Sequence, residues 1–250
     1  MKKQFLFLLF SATVFAQNNP NPGNWQQHID YKMNVNMNVE DFTYTGTQEM
    51  VYTNNSADTL KTVYFHLYPN AFQPGSAMDS RLTSIADPDK RMVKTFKTGD
   101  KEVKESRIAT LKPNEIGYIN VEQFLQNGEE AVTKVEGTVL TVYLNTTILP
   151  KTKTNFSLNY NAQVPLQIRR SGRNSEEGVA LSMTQWYPKM AEYDFEGWHA
   201  DPYIGREFHG VWGNFDVKIT LDKNYTIGAT GYLQNANQIG HGYQDKGVEV

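Results

Sequence analysis

Apolar and polar positions alternate with a period of two through most of the chain. Tyr31, Met33, Val35, Met37 and Val39 alternate with polar residues, and a Glu40-Asp41 turn leads into a Thr/Tyr-rich run over 42–53. Each pattern predicts a strand with one buried face, because successive side chains point to opposite sides of a pleated backbone. Thr62 to Tyr68 is a further strand, ended by Pro69-Asn70. Leu140, Val142 and Leu144 alternate with Val139, Thr141 and Tyr143, which predicts a strand buried on both faces. Phe156, Leu158 and Tyr160 share one face, as do Phe215, Val217, Ile219 and Leu221. A Lys223-Asn224 turn then leads towards Tyr225, Ile227 and Ala229. Helical spacing is confined to 75–86 and 120–127. These strand and turn signals predict an all-β, mainly antiparallel fold of two packed sheets over residues 29–231.

The ends of the chain read differently. Lys2-Lys3, an apolar stretch from Phe5 to Phe15, and Val14-Phe15-Ala16 before Gln17 form a secretory signal peptide over residues 1–16. It is too short to span a bilayer, so export without a membrane anchor, to the periplasm or medium, is the expectation. Residues 17–28 begin as a polar Pro/Gly linker. Residues 232–250 run into Gly-Val-Glu-Val as another strand could begin, which predicts the start of a further, truncated segment.

Composition narrows the chemistry. The chain has 250 residues, 24 Lys+Arg against 27 Asp+Glu, a net charge of −3, and no cysteine. That balance argues against nucleic-acid binding. Lack of cysteine excludes a disulfide framework, a zinc ribbon and a thiol nucleophile. No G-x-S-x-G, phosphate-binding glycine loop or H-E-x-x-H occurs. The densest chemistry lies between 186 and 212, where Trp186, Trp198 and Trp212 sit among Tyr187, Glu192, Tyr193, Asp194, Phe195, Glu196, His199 and His209, interrupted by Pro and Gly. Such a segment predicts a long ordered loop over the sheet, either functional or an aromatic plug. His199 and His209 are ten residues apart, a spacing that places no metal-ligand pair on one strand or helix, so packing is the expected role and no metal is assigned to the chain.

Thr184-Gln185-Trp186-Tyr187-Pro188, the loop from Trp198 to Phe215, Asp216-Val217-Lys218-Ile219-Thr220-Leu221 and Ile227-Gly228-Ala229-Thr230-Gly231 together resemble the N-terminal β domain of the aminopeptidase N family of zinc metallopeptidases. The likeness is greatest to secreted bacterial members, through Trp-Tyr-Pro-Lys-Met, Gly-Trp-His and Pro-Tyr-Ile-Gly-Arg-Glu-Phe between Trp186 and Phe208. The resemblance implies a saddle-shaped β-sandwich covering a downstream catalytic domain. That domain would hold zinc through H-E-x-x-H and hydrolyse peptides, so a peptide substrate and the catalytic domain are the implied partners. None of those ligands is in this chain, so the fragment alone is expected to be inactive. The resemblance also implies that Gln185 lines the first side-chain pocket of the substrate. Tyr187 stands where the family carries a glutamate that holds the substrate's amino group, and a phenol brings no charge near neutral pH. Glu192 or Asp194 is then the expected replacement for that charge, with Glu192 taken as the substrate-binding candidate. A different reading makes the chain a periplasmic β-sandwich binding module for peptide or carbohydrate, with Trp186, Trp198 and Trp212 as stacking platforms.

Overall fold

The computed structural model describes residues 25–205 and 208–239. The predicted signal peptide, most of the linker, and residues 240–250 lie outside the described residues, as do Arg206 and Glu207.

In chain order the main strands are β1 (His28–Asn38), β2 (Thr43–Thr53), β3 (Leu60–His66), β4 (Val93–Thr98), β5 (Lys101–Ser106), β6 (Tyr118–Gln126), β7 (Glu129–Glu130), β8 (Val132–Glu136), β9 (Val139–Ile148) and β10 (Lys153–Gln163). Short strands follow: β11 (Gly172–Arg173), β12 (Leu181–Ser182), β13 (Lys189–Met190), β14 (Tyr193–Asp194) and β15 (Gly197–Trp198), before the long β16 (Trp212–Thr220). A six-stranded sheet runs β16-β1-β2-β10-β6-β7, and a four-stranded sheet runs β13-β3-β9-β8. Pairing is antiparallel throughout these sheets except between β16 and β1, which are parallel. The fold is therefore all-β and mainly antiparallel, as the periodicity predicts.

One core joins the two sheets. The inward faces of β1 (Ile29, Tyr31, Met33, Val35), β2 (Tyr44, Met50, Tyr52) and β10 (Phe156, Leu158, Tyr160) meet Val63 and Phe65 of β3 and Leu140 and Val142 of β9. Phe65 packs edge-on against Phe124 at 5.3 Å and Phe156 at 6.4 Å between ring centroids. Gly46, on the buried face of β2, stands opposite Tyr160 of β10. A Cβ there would lie 2.2 Å from Cζ of that ring, so the absent side chain is what lets Tyr160 lie across the strand. A second, smaller core forms beside the sandwich from Tyr68, Phe72, Met78, Leu82, Ile108 and Tyr203. It holds α1 (Ala77–Ser84), whose first turn is capped by Ser76 Oγ accepting from the Asp79 amide at 3.1 Å.

Four expectations are corrected. The helix expected at 120–127 is strand β6, whose antiparallel bonds to β10 prevail over a helical spacing. β9 is not buried on both faces, since Tyr143 on its outer face is 46% exposed. Residues 225–229 form no strand. The apolar face of β16 is not core: Phe215, Val217 and Ile219 are exposed on an edge strand. The β4–β5 hairpin, which turns through Gly99-Asp100, is additional.

Candidate functional site

The segment after β12 becomes a long ordered loop because its backbone and rings are tied to both sheets. Gln185 opens it in the left-handed region (φ 53°), a conformation costly for a residue with a Cβ. The Tyr44 hydroxyl donates to the Trp186 carbonyl at 2.5 Å, and the two rings meet edge-on at 6.4 Å. The Met190 amide donates to the Tyr31 hydroxyl at 3.0 Å. β13 then adds to the edge of β3, and the Ala191 amide continues the pairing to the Tyr64 carbonyl at 2.8 Å. The β14–β15 hairpin turns back through Phe195-Glu196, with Gly197 at φ 99°. Its Tyr193 and Trp198 rings lie 5.0 Å apart, and Trp198 also packs on Tyr64 at 5.5 Å. The Tyr203 amide donates to Thr138 Oγ1 at 2.8 Å, returning the loop to the turn before β9.

The three residues singled out from the sequence occupy three different settings. Gln185 is half-buried and lines a shallow cleft with Tyr68, Phe72, Arg169, Tyr203 and Phe208. Its Oε1 accepts from Lys189 Nζ at 3.2 Å, which fixes the amide plane. Burial holds the Lys189 ammonium below its usual pKa. Tyr187 packs edge-on against Tyr31 at 5.6 Å and Phe215 at 6.1 Å, and burial pushes its phenol up to about 12. It is neutral at any physiological pH. Glu192 is 6% exposed. Burial first, and the neighbouring Asp194 carboxylate second, push its carboxyl up to about 7. Its electrostatic neighbours include Asp194, His199 and Gln27, whereas the rings packed against Tyr187 include Tyr31, Trp186 and Phe215.

Of the three tryptophans, Trp186 and Trp198 are half-buried against the main core, as the plug reading anticipates. Trp212 is 68% exposed at the start of β16.

Spacing missed one grouping. The β14–β15 hairpin and the return of the loop bring Asp194, His199 and His209 together. His199 Nε2 lies 2.8 Å from Asp194 Oδ2, and the two imidazole rings stack at 4.5 Å with planes 22° apart. The ligand-spacing rule looks along one element, while these side chains converge from a hairpin and the far end of a loop. Only the Phe195-Glu196-Gly197 turn signalled the reversal.

Zinc of the kind implied by the family resemblance does not fit this chain's own residues. The five histidines, His28, His66, His199, His209 and His241, include no H-E-x-x-H pair.

No protein-family model matches the chain, and no curated protein matches it. Among solved structures it is similar to M1 zinc metallopeptidases from Deinococcus radiodurans. The M1 zinc metallopeptidase itself shows 12% identity and a TM-score of 0.40 over 83% of this chain and 34% of that one. A mutant bound to a Tyr-Ser-Ala substrate shows 11% identity and a TM-score of 0.42, over 83% and 35%. A mutant form of the same enzyme shows 13% identity and a TM-score of 0.35, over 65% and 28%. The chain thus spans about a third of the length of these structures.

Proposed function

We propose that this chain is the N-terminal domain of an exported zinc metallopeptidase of the aminopeptidase type, and that it forms one wall of the peptide-binding cleft. Peptide hydrolysis is the work of a zinc-holding catalytic domain, where the metal polarises the scissile carbonyl and activates water. This chain contributes binding and position. The observation that carries the reading is Gln185: the residue matched to the family's first-pocket glutamine lines a cleft, in a strained backbone conformation and with its amide oxygen held by Lys189. Strain kept at a half-buried polar residue is common where a side chain must be presented to a ligand. With its oxygen on Lys189, the amide offers its NH₂ group to a substrate acceptor.

Tyr187 and Glu192 support the loop on either side. The neutral, half-buried Tyr187 phenol offers no counter-charge to a substrate ammonium, and the Glu192 carboxyl, with its raised pKa, offers a weakened one. N-terminal amine selectivity is therefore expected to be looser than a fixed carboxylate would give.

The test is steady-state hydrolysis of a panel of aminoacyl-p-nitroanilides by the full-length gene product. Gln185→Ala is expected to change kcat/KM by about 3- to 30-fold, unevenly across first-position side chains, the range that a pocket contact supplies. A full-length product without peptidase activity, or a uniform effect across the panel, overturns the proposal.

A further inference from the structure

We propose that Asp194, His199 and His209 form a binding site for a divalent transition-metal ion of the zinc class. One ligand atom from each residue lies within 4.8 Å of the other two. Two imidazoles and one carboxylate suit zinc and its neighbours rather than calcium or magnesium, which prefer all-oxygen sets. Donors around a tetrahedral zinc stand about 3–3.5 Å apart. The Asp194–His199 pair, at 2.8 Å, needs only a small opening to reach that spacing. His209 is the exposed member and has room to close the remaining distance.

Two features favour a metal over a simple ion pair. Nε2 of His199 is buried and, despite the nearby carboxylate, lacks a hydrogen bond of acceptable angle. The second feature is the oriented support around the donors. The Glu196 amide donates to Asp194 Oδ1 at 2.8 Å, leaving Oδ2 for the site. The His199 amide donates to the Glu192 carbonyl at 2.9 Å, and the His199 carbonyl meets His66 Nε2 at 3.1 Å. Such outer contacts hold ligand side chains and tune their affinity. A bound ion would clamp the β14–β15 hairpin, in the middle of the loop that Gln185 opens, to the segment that enters β16.

The test uses the purified 250-residue chain, stripped with a chelator and freed of any affinity tag, and zinc chloride alone as the probe. Calorimetry is expected to show one saturable equivalent, and cobalt substitution a visible d–d band. His209→Ala, whose side chain is exposed and whose fold is checked by circular dichroism, should weaken binding by at least about 30-fold; His199→Ala and Asp194→Asn should do likewise. His28→Ala, which removes the His28–Asp30 pair, should leave binding unchanged. No saturable binding at millimolar zinc, binding that survives His209→Ala, or binding lost with His28→Ala overturns the assignment.

Discussion

Gly46→Ala tests how the sandwich supports the loop. The new methyl would meet Cζ, Oη and Cε1 of Tyr160 at 2.2, 2.3 and 2.4 Å. An unstrained carbon contact is about 3.5–4.0 Å, so the ring must retreat by more than about 1 Å. It has little room, being 1% exposed and packed edge-on against Tyr44 at 6.1 Å. Tyr44 in turn donates the bond that holds the Trp186 carbonyl, so the displacement runs towards Gln185. Overpacking of this kind costs about 1–3 kcal/mol, and the upper end is expected here because the obstruction is a rigid ring. Urea denaturation followed by circular dichroism gives the magnitude. The companion Tyr160→Leu removes the obstruction at the expense of a cavity, so the double variant should be less destabilised than the sum of the singles by about 1–2 kcal/mol. A Gly46→Ala protein within about 0.5 kcal/mol of wild type, or strict additivity in the double variant, would refute the reasoning.

Two further perturbations have defined outcomes. His66 is buried, stacks on Tyr68 at 4.9 Å and has an unpartnered Nδ1, and burial holds its pKa down at about 4. The neutral ring is favoured in the fold, so its stabilisation is present above the unfolded value of 6.5 and is lost as pH falls through about 4. Up to about 3 kcal/mol is at stake; chelator-treated wild type should lose urea resistance over that window more steeply than His66→Gln, and equal slopes would contradict this. The Tyr52 hydroxyl is fully buried with no hydrogen-bond partner among the described residues, so Tyr52→Phe should be neutral or raise stability by up to about 1 kcal/mol. A clear fall in the thermal midpoint would show that this oxygen is satisfied.

Strands were legible in the sequence where one face is buried, because alternation then has a physical cause. β1, β2 and β10 lie almost where the Tyr31–Val39, 42–53 and Phe156–Tyr160 patterns put them. The 120–127 segment misled because strand β6 places Phe124 and Gln126 inward but Val121 only partly so, and a broken alternation looks helical. β4 and β5 escaped notice because their residues are almost all exposed or half-buried, leaving no periodic face. At the site, the loop's existence was readable from its aromatic and glycine content. Its internal convergence was not, because the contacts of His199 with Asp194 and His209 depend on a hairpin reversal and on where the loop re-enters the sheet.

The parallel pairing of β1 with β16 has a kinetic consequence. His28 aligns with Trp212 and Asn36 with Thr220, so the opening strand of the domain waits for the last long strand before that edge of the sheet can close. Gly213 is the point of tightest approach, since a Cβ there would lie 1.7 Å from the Ile29 carbonyl oxygen. Contacts this remote in sequence carry a large loop-closure entropy and slow the search for the native state. Completion of the edge is therefore expected late in folding, and the aromatic loop between β12 and β16 should gain its final order only at that step.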